Sequence, residues 1–416
     1  MDMGTLCKGS AGENRPAQGR PRPMMFLVSD ISGTFNSFGG SFHLEPIKYP
    51  DVNIADILVV EDTLGERIMR SCSHILEARF DAGRIPGFPK PMPPPDRVPD
   101  GSRIVILRGG GIGDLIMLIP ALQVLKRLLP GGVRLYLATF QEKTFLFKGM
   151  PELEGVMVMP ARMNRVTGMD FFLDFSGHDA LFRNGHMTDF YLACMGLPHE
   201  EVPVSWKRPW LSEKTARSAR IRKWFRRRRR DGRKQVYLHL GATDIIRRLP
   251  PDLGQWLARS LPGADFVMSP GPGEEITGHR PPNLFFLDTG GSLSDYMTAI
   301  ACADAVVSTD SSAYHIAAGF QKPAIALFGP VPSAMRTRFS PTVVPIDAGY
   351  RGKTCASPCG LNAVTELRHR PGGPGYDISR GCPEANLKGT GYSPCLLSIP
   401  REEIRARLVE IPGFQE

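Results

Sequence analysis

One segment of the chain has the pattern of a βαβ unit: Arg103-Ile-Val-Ile-Leu-Arg-Gly-Gly-Gly-Ile-Gly-Asp114. The apolar run from Ile104 to Leu107 is typical of a parallel strand that is buried on both faces. A glycine-rich turn follows, and the residues after the turn predict a helix over 115–129 and a second strand over 133–138. Strand, turn, helix and strand in this order predict an α/β fold with a parallel sheet.

A second α/β block begins at Val236-Tyr-Leu-His-Leu240. Its further strands are predicted over 266–268, 284–287, 306–308 and 324–328, with helices between them. The two blocks predict two Rossmann-like domains that face a cleft. The first domain is predicted over 103–215 and the second over 236–335, and a basic linker over 216–235 connects them.

The remaining segments differ from these blocks in composition. They are a disordered leader (1–23), a small appended α+β module (24–85), a Pro-rich linker (86–102) and a cysteine-containing segment with a final helix (336–416). The module's sequence predicts hairpins over 26–42 and a helix over 63–80. The run Pro91-Met-Pro-Pro-Pro95 is stiff and extended, which excludes it from a sheet core.

Length and composition exclude several classes of protein. The chain has 416 residues, 42% of them hydrophobic, which is enough for two globular domains. Its longest apolar stretch, 115–125, has about half of the ~20 residues that a membrane-spanning helix needs. Residues 1–23 lack the apolar core of a secretory signal peptide. We therefore expect a cytoplasmic protein.

Much of the net charge of +9 lies in the basic run 217–234, which includes five consecutive arginines at 226–230. One interpretation is a solvated helix end and linker. The other is an electrostatic tether to anionic lipid, because each basic residue near a membrane contributes about 1 kcal/mol. Nucleic acid is not an expected partner, since the chain has no recognised nucleic-acid module.

Asp114 stands at the start of the predicted helix, at the edge of the sheet where ligands bind in open α/β folds. It is either a helix cap or a functional carboxylate. The glycines before it fit a dinucleotide fingerprint poorly, and no acidic ribose ligand ends the second strand (133–139). These two features disfavour a nicotinamide-dependent dehydrogenase.

Three later motifs follow predicted strands in the same way. Ser308-Thr-Asp-Ser-Ser312 leads into a helix that carries His315 one turn later. Backbone N–H groups at that helix start, together with the serine hydroxyls, predict an anion site of the diphosphate type. Gly241-Ala-Thr243 is a turn with a cation, Arg247, four residues on, and Gly271-Pro-Gly-Glu-Glu275 places carboxylates on a loop.

In this order the blocks resemble glycosyltransferase family 9, the ADP-heptose-dependent heptosyltransferases. The glycine turn with Asp114 is similar to the family's N-terminal signature. The stretch from Asp310 to Pro330 carries D-[ST]-x-x-x-H, A-A-x-x-x-x-P and L-F-G-P, which is similar to the C-terminal signature. The resemblance covers roughly 103–410. Two positions depart from it, because Ser312 stands for a glycine and Leu249 for a tryptophan.

The resemblance implies a GT-B fold and an inverting glycosyltransferase that uses a nucleotide-diphosphate sugar, with ADP-heptose as the expected donor. It implies that 103–215 binds the acceptor and 236–335 the donor, and that Asp114 is the catalytic base. The residues implied to bind the donor are Gly241, Thr243, Arg247, Glu274, Gly291, Asp310, Ser311, Ser312 and His315.

Each of these residues has an implied task. Arg247, the helix start at Ser311 and His315 would neutralise the leaving diphosphate, so that catalysis needs no cofactor. Glu274 would accept the ribose hydroxyls, and Gly291 would leave room for the base. Asp310 is expected to cap its helix or to contact the sugar.

The acceptor that the family implies is a cell-envelope glycan such as the lipopolysaccharide core, which would bring the enzyme to the inner-membrane surface. Two alternatives remain open. One is a protein acceptor, as in the autotransporter heptosyltransferases. The other is a catalytically silent nucleotide-sugar-binding protein, which the departures at Ser312 and Leu249 favour.

Four cysteines crowd into one C-terminal stretch: Cys355, Cys359, Cys382 and Cys395. In a reducing compartment this clustering favours metal ligation over disulfides. The spacing predicts a structural zinc or iron site, with unliganded thiols as the alternative. The autotransporter branch resembles the chain here as well, since it has a four-cysteine iron site and an added N-terminal β module, although its donor-loop motif differs.

Overall fold

A computed structural model of the chain describes residues 24–29, 32–37, 40–44, 57–60, 62–72, 74–78, 87–175, 185–229, 232–269, 280–353, 355–359 and 381–414. The chain divides into two compact units. The N-terminal unit takes in 1–110, 122–182 and 192–199, and the C-terminal unit takes in 111–121, 183–191 and 200–416. Glu274 and the leader over 1–23 lie outside the described residues.

The N-terminal part of the chain contains eleven described strands and four described helices. The strands are β1 (Met25–Ser29), β2 (Gly33–Ser37), β3 (Gly40–Leu44), β4 (Leu58–Val60), β5 (Ile75–Ala78), β6 (Lys90–Pro91), β7 (Arg103–Leu107), β8 (Arg134–Phe140), β9 (Leu153–Met159), β10 (Ala161–Arg162) and β11 (Phe171–Asp174). The helices are α1 (Asp62–Ser71), α2 (Ile112–Leu128), α3 (Met163–Val166) and α4 (Met187–Cys194).

A parallel sheet in the order β6-β11-β7-β8-β9 is the centre of the N-terminal unit. The predicted strand at Ile104–Leu107 is its middle strand, and these side chains are buried because the sheet is covered on both faces. Strands β4, β1 and β5 of the appended module form a second, antiparallel sheet in the order β10-β4-β1-β5, in which β10 comes from the later segment Ala161–Arg162. The module's hairpin β2–β3 is a separate two-stranded sheet.

One prediction in this region is wrong in detail. The helix predicted over 63–80 ends at Ser71, and Ile75 and Leu76 lie in strand β5, where they pair with β1. The Pro-rich run is predicted to lie outside a sheet core, and it agrees with this prediction, because Lys90–Pro91 forms the edge strand β6. The neighbouring N–H groups of Lys90 and Met92 donate to the carbonyls of Asp170 and Phe172, so the missing donor of Pro91 falls on the open side.

The C-terminal unit is built on a six-stranded parallel sheet in the order β14-β13-β12-β15-β16-β17. Its strands are β12 (Gln235–His239), β13 (Asp265–Met268), β14 (Leu284–Phe286), β15 (Ala305–Thr309), β16 (Ala324–Phe328) and β17 (Val343–Asp347). The predicted strands are present, with ends that differ by at most one residue, and β17 is additional. Their apolar side chains form a buried core beneath the edge that carries the site.

Eight described helices accompany this sheet. They are α5 (Ala219–Arg228), α6 (Asp252–Ser260), α7 (Leu293–Cys302), α8 (Ser312–Gly319), α9 (Ala334–Thr337), α10 (Pro383–Lys388), α11 (Pro394–Leu397) and α12 (Arg401–Val409). The basic run therefore contains a helix, α5, which buries Ile221 and Phe225 and leaves most of its basic side chains exposed. Within the described ranges, none of the helices has the length and apolarity to span a membrane.

Candidate active site

Strand β15 leads directly into helix α8 at the carboxyl edge of the C-terminal sheet. Ser311 is the N-cap of α8, and within the described structure its side chain makes no capping hydrogen bond to the helix. Its hydroxyl instead lies 2.8 Å from Ser308 Oγ, and Ser312 Oγ lies 3.2 Å from Tyr296 Oη. The serine hydroxyls are thus used internally, while the backbone N–H groups of the first turn retain their capacity for an anion.

Arg247 reaches the start of α8, as the sequence predicts for a donor-binding cation. Its Nη1 donates to the Asp310 carbonyl at 2.7 Å and its Nη2 donates to Asp244 Oδ2 at 2.8 Å. Burial alone would lower the pKa of Arg247, but the Asp310 and Asp244 carboxylates raise it overall. The guanidinium is therefore charged and held by two carboxylates.

Asp310 lies beneath this helix start and is 4% exposed. Its Oδ1 accepts a hydrogen bond from Tyr314 Oη at 3.2 Å, and its Oδ2 lies 3.5 Å from Arg247 Nη1. The carboxylate holds the arginine and the tyrosine in place. Asp310 thus supports the site by positioning these two side chains.

His315 is buried next to these groups. Its ring packs on that of Tyr314, with the centroids 4.0 Å apart. Burial lowers the pKa of His315 well below its usual value, and the nearby Arg336, His186 and Arg247 lower it further. The imidazole is neutral near pH 7, so it offers hydrogen-bonding atoms but no positive charge.

Asp114 is the third residue of α2 and is partly exposed. Its Oδ2 accepts a hydrogen bond from the Gly111 N–H at 3.1 Å, which is the carboxylate half of a capping box. No described residue donates to its Oδ1. One oxygen of the carboxylate therefore stabilises the helix start, and the other remains available for chemistry.

The start of α2 packs against α8 within the C-terminal unit. A methyl group placed on Gly113 would come within 2.7 Å of His315 Cδ2 and 3.1 Å of Nε2. Glycine at this position therefore permits the close approach of the two helix starts. Through it the structure brings the Asp114 segment to the same edge as His315, and to the block that contains Asp310 and Arg247.

The turn Gly241–Thr243 lies beside the same edge. The Gly241 carbonyl accepts a hydrogen bond from Thr309 Oγ1 at 3.1 Å. Arg248 donates from Nε to the Ala242 carbonyl at 2.8 Å and from Nη2 to the Thr243 carbonyl at 3.3 Å. Strand β15 and Arg248 therefore fix the shape of a turn whose residues Gly241 and Thr243 are predicted to bind the donor.

Gly291 precedes α7 with a φ of +68°, a conformation that favours glycine, and no described atom lies within 4 Å of the position where its side chain would begin. Sequence reasoning did not single out His239, at the end of β12, or Tyr296 on α7, whose rings lie 5.2 Å apart. The available sequence signal for His239 was its position as a polar residue at the end of an apolar strand.

The four C-terminal cysteines come together. All four are reduced, buried and line one cavity of about 10 Å³, together with Ile246 and Glu384. Among the described residues, no group of three or more His, Cys, Asp or Glu side chains has the geometry to hold a metal ion as it stands. The hydrogen bond with Cys359, followed by burial, raises the pKa of Cys355. Burial raises the pKa of Cys395 to about 12, so the thiols of Cys355 and Cys395 are protonated near pH 7.

Comparisons with known proteins agree with this geometry. A model of glycosyltransferase family 9 (heptosyltransferase) matches residues 290–354, which contain α7, β15, α8 and β16. Heptosyltransferase II of Escherichia coli, an ADP-heptose lipopolysaccharide heptosyltransferase, has a similar structure at 15% identity, with a TM-score of 0.54 over 74% of this chain and 98% of that chain. No curated protein sequence gives a significant match.

A second similar structure is that of TibC from enterotoxigenic E. coli, described as a dodecameric iron-containing heptosyltransferase and solved with ADP-D-beta-D-heptose. It is 11% identical and matches with a TM-score of 0.51 over 94% of this chain and 92% of that chain. These matches confirm the resemblance predicted from the sequence and the GT-B fold with its two Rossmann-like domains.

Proposed function

We propose that the chain is a glycosyltransferase of the family 9 type, and that it moves a heptose or a related sugar from a nucleotide-diphosphate donor, ADP-heptose first, to a hydroxyl of a cell-envelope glycan. One observation carries this proposal. An uncapped helix start with a braced arginine, suited to a diphosphate, lies against the helix start that bears a carboxylate with one unused oxygen.

Asp114 is the base in this reaction. Its Oδ1 takes the proton of the acceptor hydroxyl as the hydroxyl oxygen forms a bond to the anomeric carbon and the bond to the diphosphate breaks. The bond from Gly111 to Oδ2 holds the carboxylate in place. Attack on the face opposite the leaving group inverts the anomeric configuration.

The leaving diphosphate is stabilised by fixed dipoles and one cation. The N–H groups at the start of α8 point toward its oxygens, and Arg247 exchanges part of its contact with Asp244 for the phosphate. His315, being neutral, positions Gly113 and hydrogen-bonds without adding charge. This division of tasks needs no cofactor for the chemical step.

A membrane-bound acceptor fits the exposed surface of the C-terminal unit. The basic side chains of Lys223, Arg226 and Arg227 on α5 are exposed, and Trp206 and Trp210 are 38% and 40% exposed. Basic residues with tryptophans are typical of proteins that bind anionic membrane surfaces. This combination supports a peripheral place at the inner membrane.

Sedimentation with vesicles tests the membrane proposal. Vesicles that contain phosphatidylglycerol should carry the protein down, whereas phosphatidylcholine vesicles should not. A double variant with Arg226→Glu and Arg227→Glu should lose this binding, while charge reversal of the exposed Arg97 and Arg134 should retain most of it. Equal binding by both variants would assign the run to a linker.

A protein acceptor is the second candidate function, and the extent of the TibC match favours it. That match covers 94% of the chain, against 74% for heptosyltransferase II, and TibC contains iron. The donor set here also suits iron or zinc, since four thiols surround a cavity with room for about one ion or water. We propose that Cys355, Cys359, Cys382 and Cys395 hold such an ion as a structural cross-link.

Donor and acceptor are tested separately. Mass spectrometry of the native protein against a panel of nucleotide sugars should show retention of ADP-heptose in preference to UDP and GDP sugars. ADP release should then rise with a lipopolysaccharide-core acceptor for the first function and with a protein acceptor for the second. Donor retention with no release for any acceptor would identify a silent binding protein.

A further inference from the structure

His239 is the last residue of β12, the strand that precedes the turn Gly241–Thr243. In the parallel register it lies opposite Ser308 of β15, so it stands at the carboxyl edge of the two central strands. Ligands of open α/β sheets bind at this edge. An imidazole there faces the region in which the donor is expected.

The contacts of His239 place it between the start of α8 and the turn Gly241–Thr243. Its ring lies 5.2 Å from that of Tyr296, whose hydroxyl meets Ser312 Oγ at the start of α8. On the other side, a methyl group placed on Gly241 would lie 3.9 Å from His239 Nε2. Nε2 is thus the ring nitrogen on the side of the turn.

The other ring nitrogen has an unusual environment. Nδ1 is buried, and no described residue forms a hydrogen bond with it. A buried polar atom without a partner destabilises the fold, so such an atom at a ligand-binding edge is typical of a functional residue. Burial also lowers the pKa of His239 to about 4, and the ring is neutral near pH 7.

A neutral imidazole carries one proton. Because Nδ1 is buried and no described residue forms a hydrogen bond with it, the proton is of use on Nε2, which lies toward the turn. We propose that His239 is a donor-binding residue whose Nε2–H donates a hydrogen bond to the diphosphate of the nucleotide sugar. This inference rests on the proposed function, because it requires a diphosphate at the start of α8.

The arrangement complements Arg247. Arg247 supplies charge from the side of Asp310, whereas His239 supplies a neutral donor from beneath the turn. A neutral donor adds direction without drawing counter-ions into the site. It also keeps donor binding independent of pH near neutrality, where a titrating histidine would not.

Calorimetry with ADP and with adenosine tests the proposal. His239→Phe keeps a flat ring and removes the donor, and it should raise the Kd for ADP by about 10-fold to 100-fold, the range for hydrogen bonds to charged groups. The Kd for adenosine should change less than about twofold. His239→Gln, which retains an N–H donor, should recover part of the loss.

Tyr237→Phe is the matched control. Tyr237 lies on the same strand and its hydroxyl donates to Ser269 Oγ at 2.9 Å, so its loss perturbs the neighbouring packing and leaves ADP binding within about twofold. Full ADP affinity in His239→Phe would overturn the inference and leave the proposed function intact. Failure of the unaltered protein to bind ADP would overturn both.

Nitrogen NMR of the unaltered protein gives a second test that needs no folded variant. Long-range ¹H–¹⁵N spectra should show the Nε2–H tautomer for His239 at pH 7, with an Nε2 shift that moves on addition of ADP. A fixed Nδ1–H tautomer, or an Nε2 resonance unmoved by saturating ADP, would overturn the inference.

Discussion

His315 occupies the space that a side chain on Gly113 would need. A methyl group at Gly113 would lie 2.7 Å from His315 Cδ2, which is closer than carbon atoms pack. The proposed base, Asp114, directly follows Gly113, and helix α8 begins three residues before His315. The contact between the imidazole and the glycine therefore sets the separation between base and diphosphate site.

Gly113→Ala should lower kcat by roughly 10-fold to 100-fold, because displacement of a reacting group by about 1 Å has effects of this size. The Kd for ADP should change less. In a double-mutant cycle with His315→Ala, the alanine at 113 should have little further effect once the ring is gone. Gly131→Ala, at an open site, is the control. Additive losses in the cycle would show that the contact does not position the base.

Asp114→Asn should lower kcat by about 10²-fold to 10⁴-fold with donor affinity nearly unchanged, because the amide cannot take a proton. Its side-chain oxygen can still accept the Gly111 N–H, so the helix start should keep its stability. Asp114→Ala loses both the base and this bond and should also melt at a lower temperature. Steady-state kinetics and thermal melting separate the role of Asp114 as a base from its role as a helix cap. If the kcat of Asp114→Asn stays within a few-fold of that of the unaltered protein, Asp114 is only a helix cap.

Arg247→Ala should raise the Kd for ADP by about 10-fold or more, since a charged hydrogen-bond donor near the diphosphate is lost. It should also lower the melting temperature, because the buried Asp310 carboxylate loses its cation. Arg248→Ala, which removes the brace on the turn, is the comparison, measured by the same titration. If only Arg248→Ala weakens ADP binding, the charge at the diphosphate comes from that residue.

The strands of the C-terminal sheet were predictable because runs such as 324–328 are apolar throughout, as strands buried on both faces require. Ile75 and Leu76 misled the helix prediction, since two adjacent apolar residues suit a helix and a short strand equally. The pairing of Arg247 with Asp310 joins residues 63 positions apart. The neutrality of His315 depends first on its burial in the folded protein and then on the nearby Arg336 and His186. Neither feature could be predicted, because neither produces a pattern among neighbouring residues of the sequence.

His186 makes the stability depend on pH. Its pKa is lowered to about 3, chiefly by burial, with Arg336, Arg338 and Lys207 also lowering it against the effect of the hydrogen bond to the Arg336 carbonyl. Between about pH 6.5 and pH 3, the unfolded chain binds a proton that the folded protein does not. The free energy of unfolding should therefore decrease as the pH is lowered through this window, by ~1.4 kcal/mol per pH unit for this residue.

Denaturant unfolding at pH 7, 6 and 5 measures this slope. His186→Asn keeps an acceptor for the Thr188 N–H and removes the titrating ring, so its free energy of unfolding should fall less steeply below pH 6. His74→Asn, at an exposed position, is the control. Identical slopes for the protein and for His186→Asn would place the acid sensitivity elsewhere.

The cysteine cavity should affect donor binding through the turn that carries Arg247. Ile246 packs in the cysteine cluster, and its carbonyl accepts a hydrogen bond from Ser393 Oγ at 2.6 Å, two residues before Cys395. Loosening of the cluster should therefore displace the adjacent Arg247. Cys382→Ser should lower the melting temperature and raise the Kd for ADP, whereas Cys72→Ser, in the appended module, should do neither.

Elemental analysis of protein purified without chelator connects this effect to a metal. We expect about one zinc or iron per chain, lost in Cys382→Ser, because a tetrahedral thiolate site needs all four ligands. Metal binding must also release protons from thiols with raised pKa values, so metal content should fall as the pH is lowered. Substoichiometric metal with an unchanged melting temperature in Cys382→Ser would leave the cysteines as unliganded packing residues. A changed ADP affinity in the same variant would still show that the cluster supports the Arg247 turn.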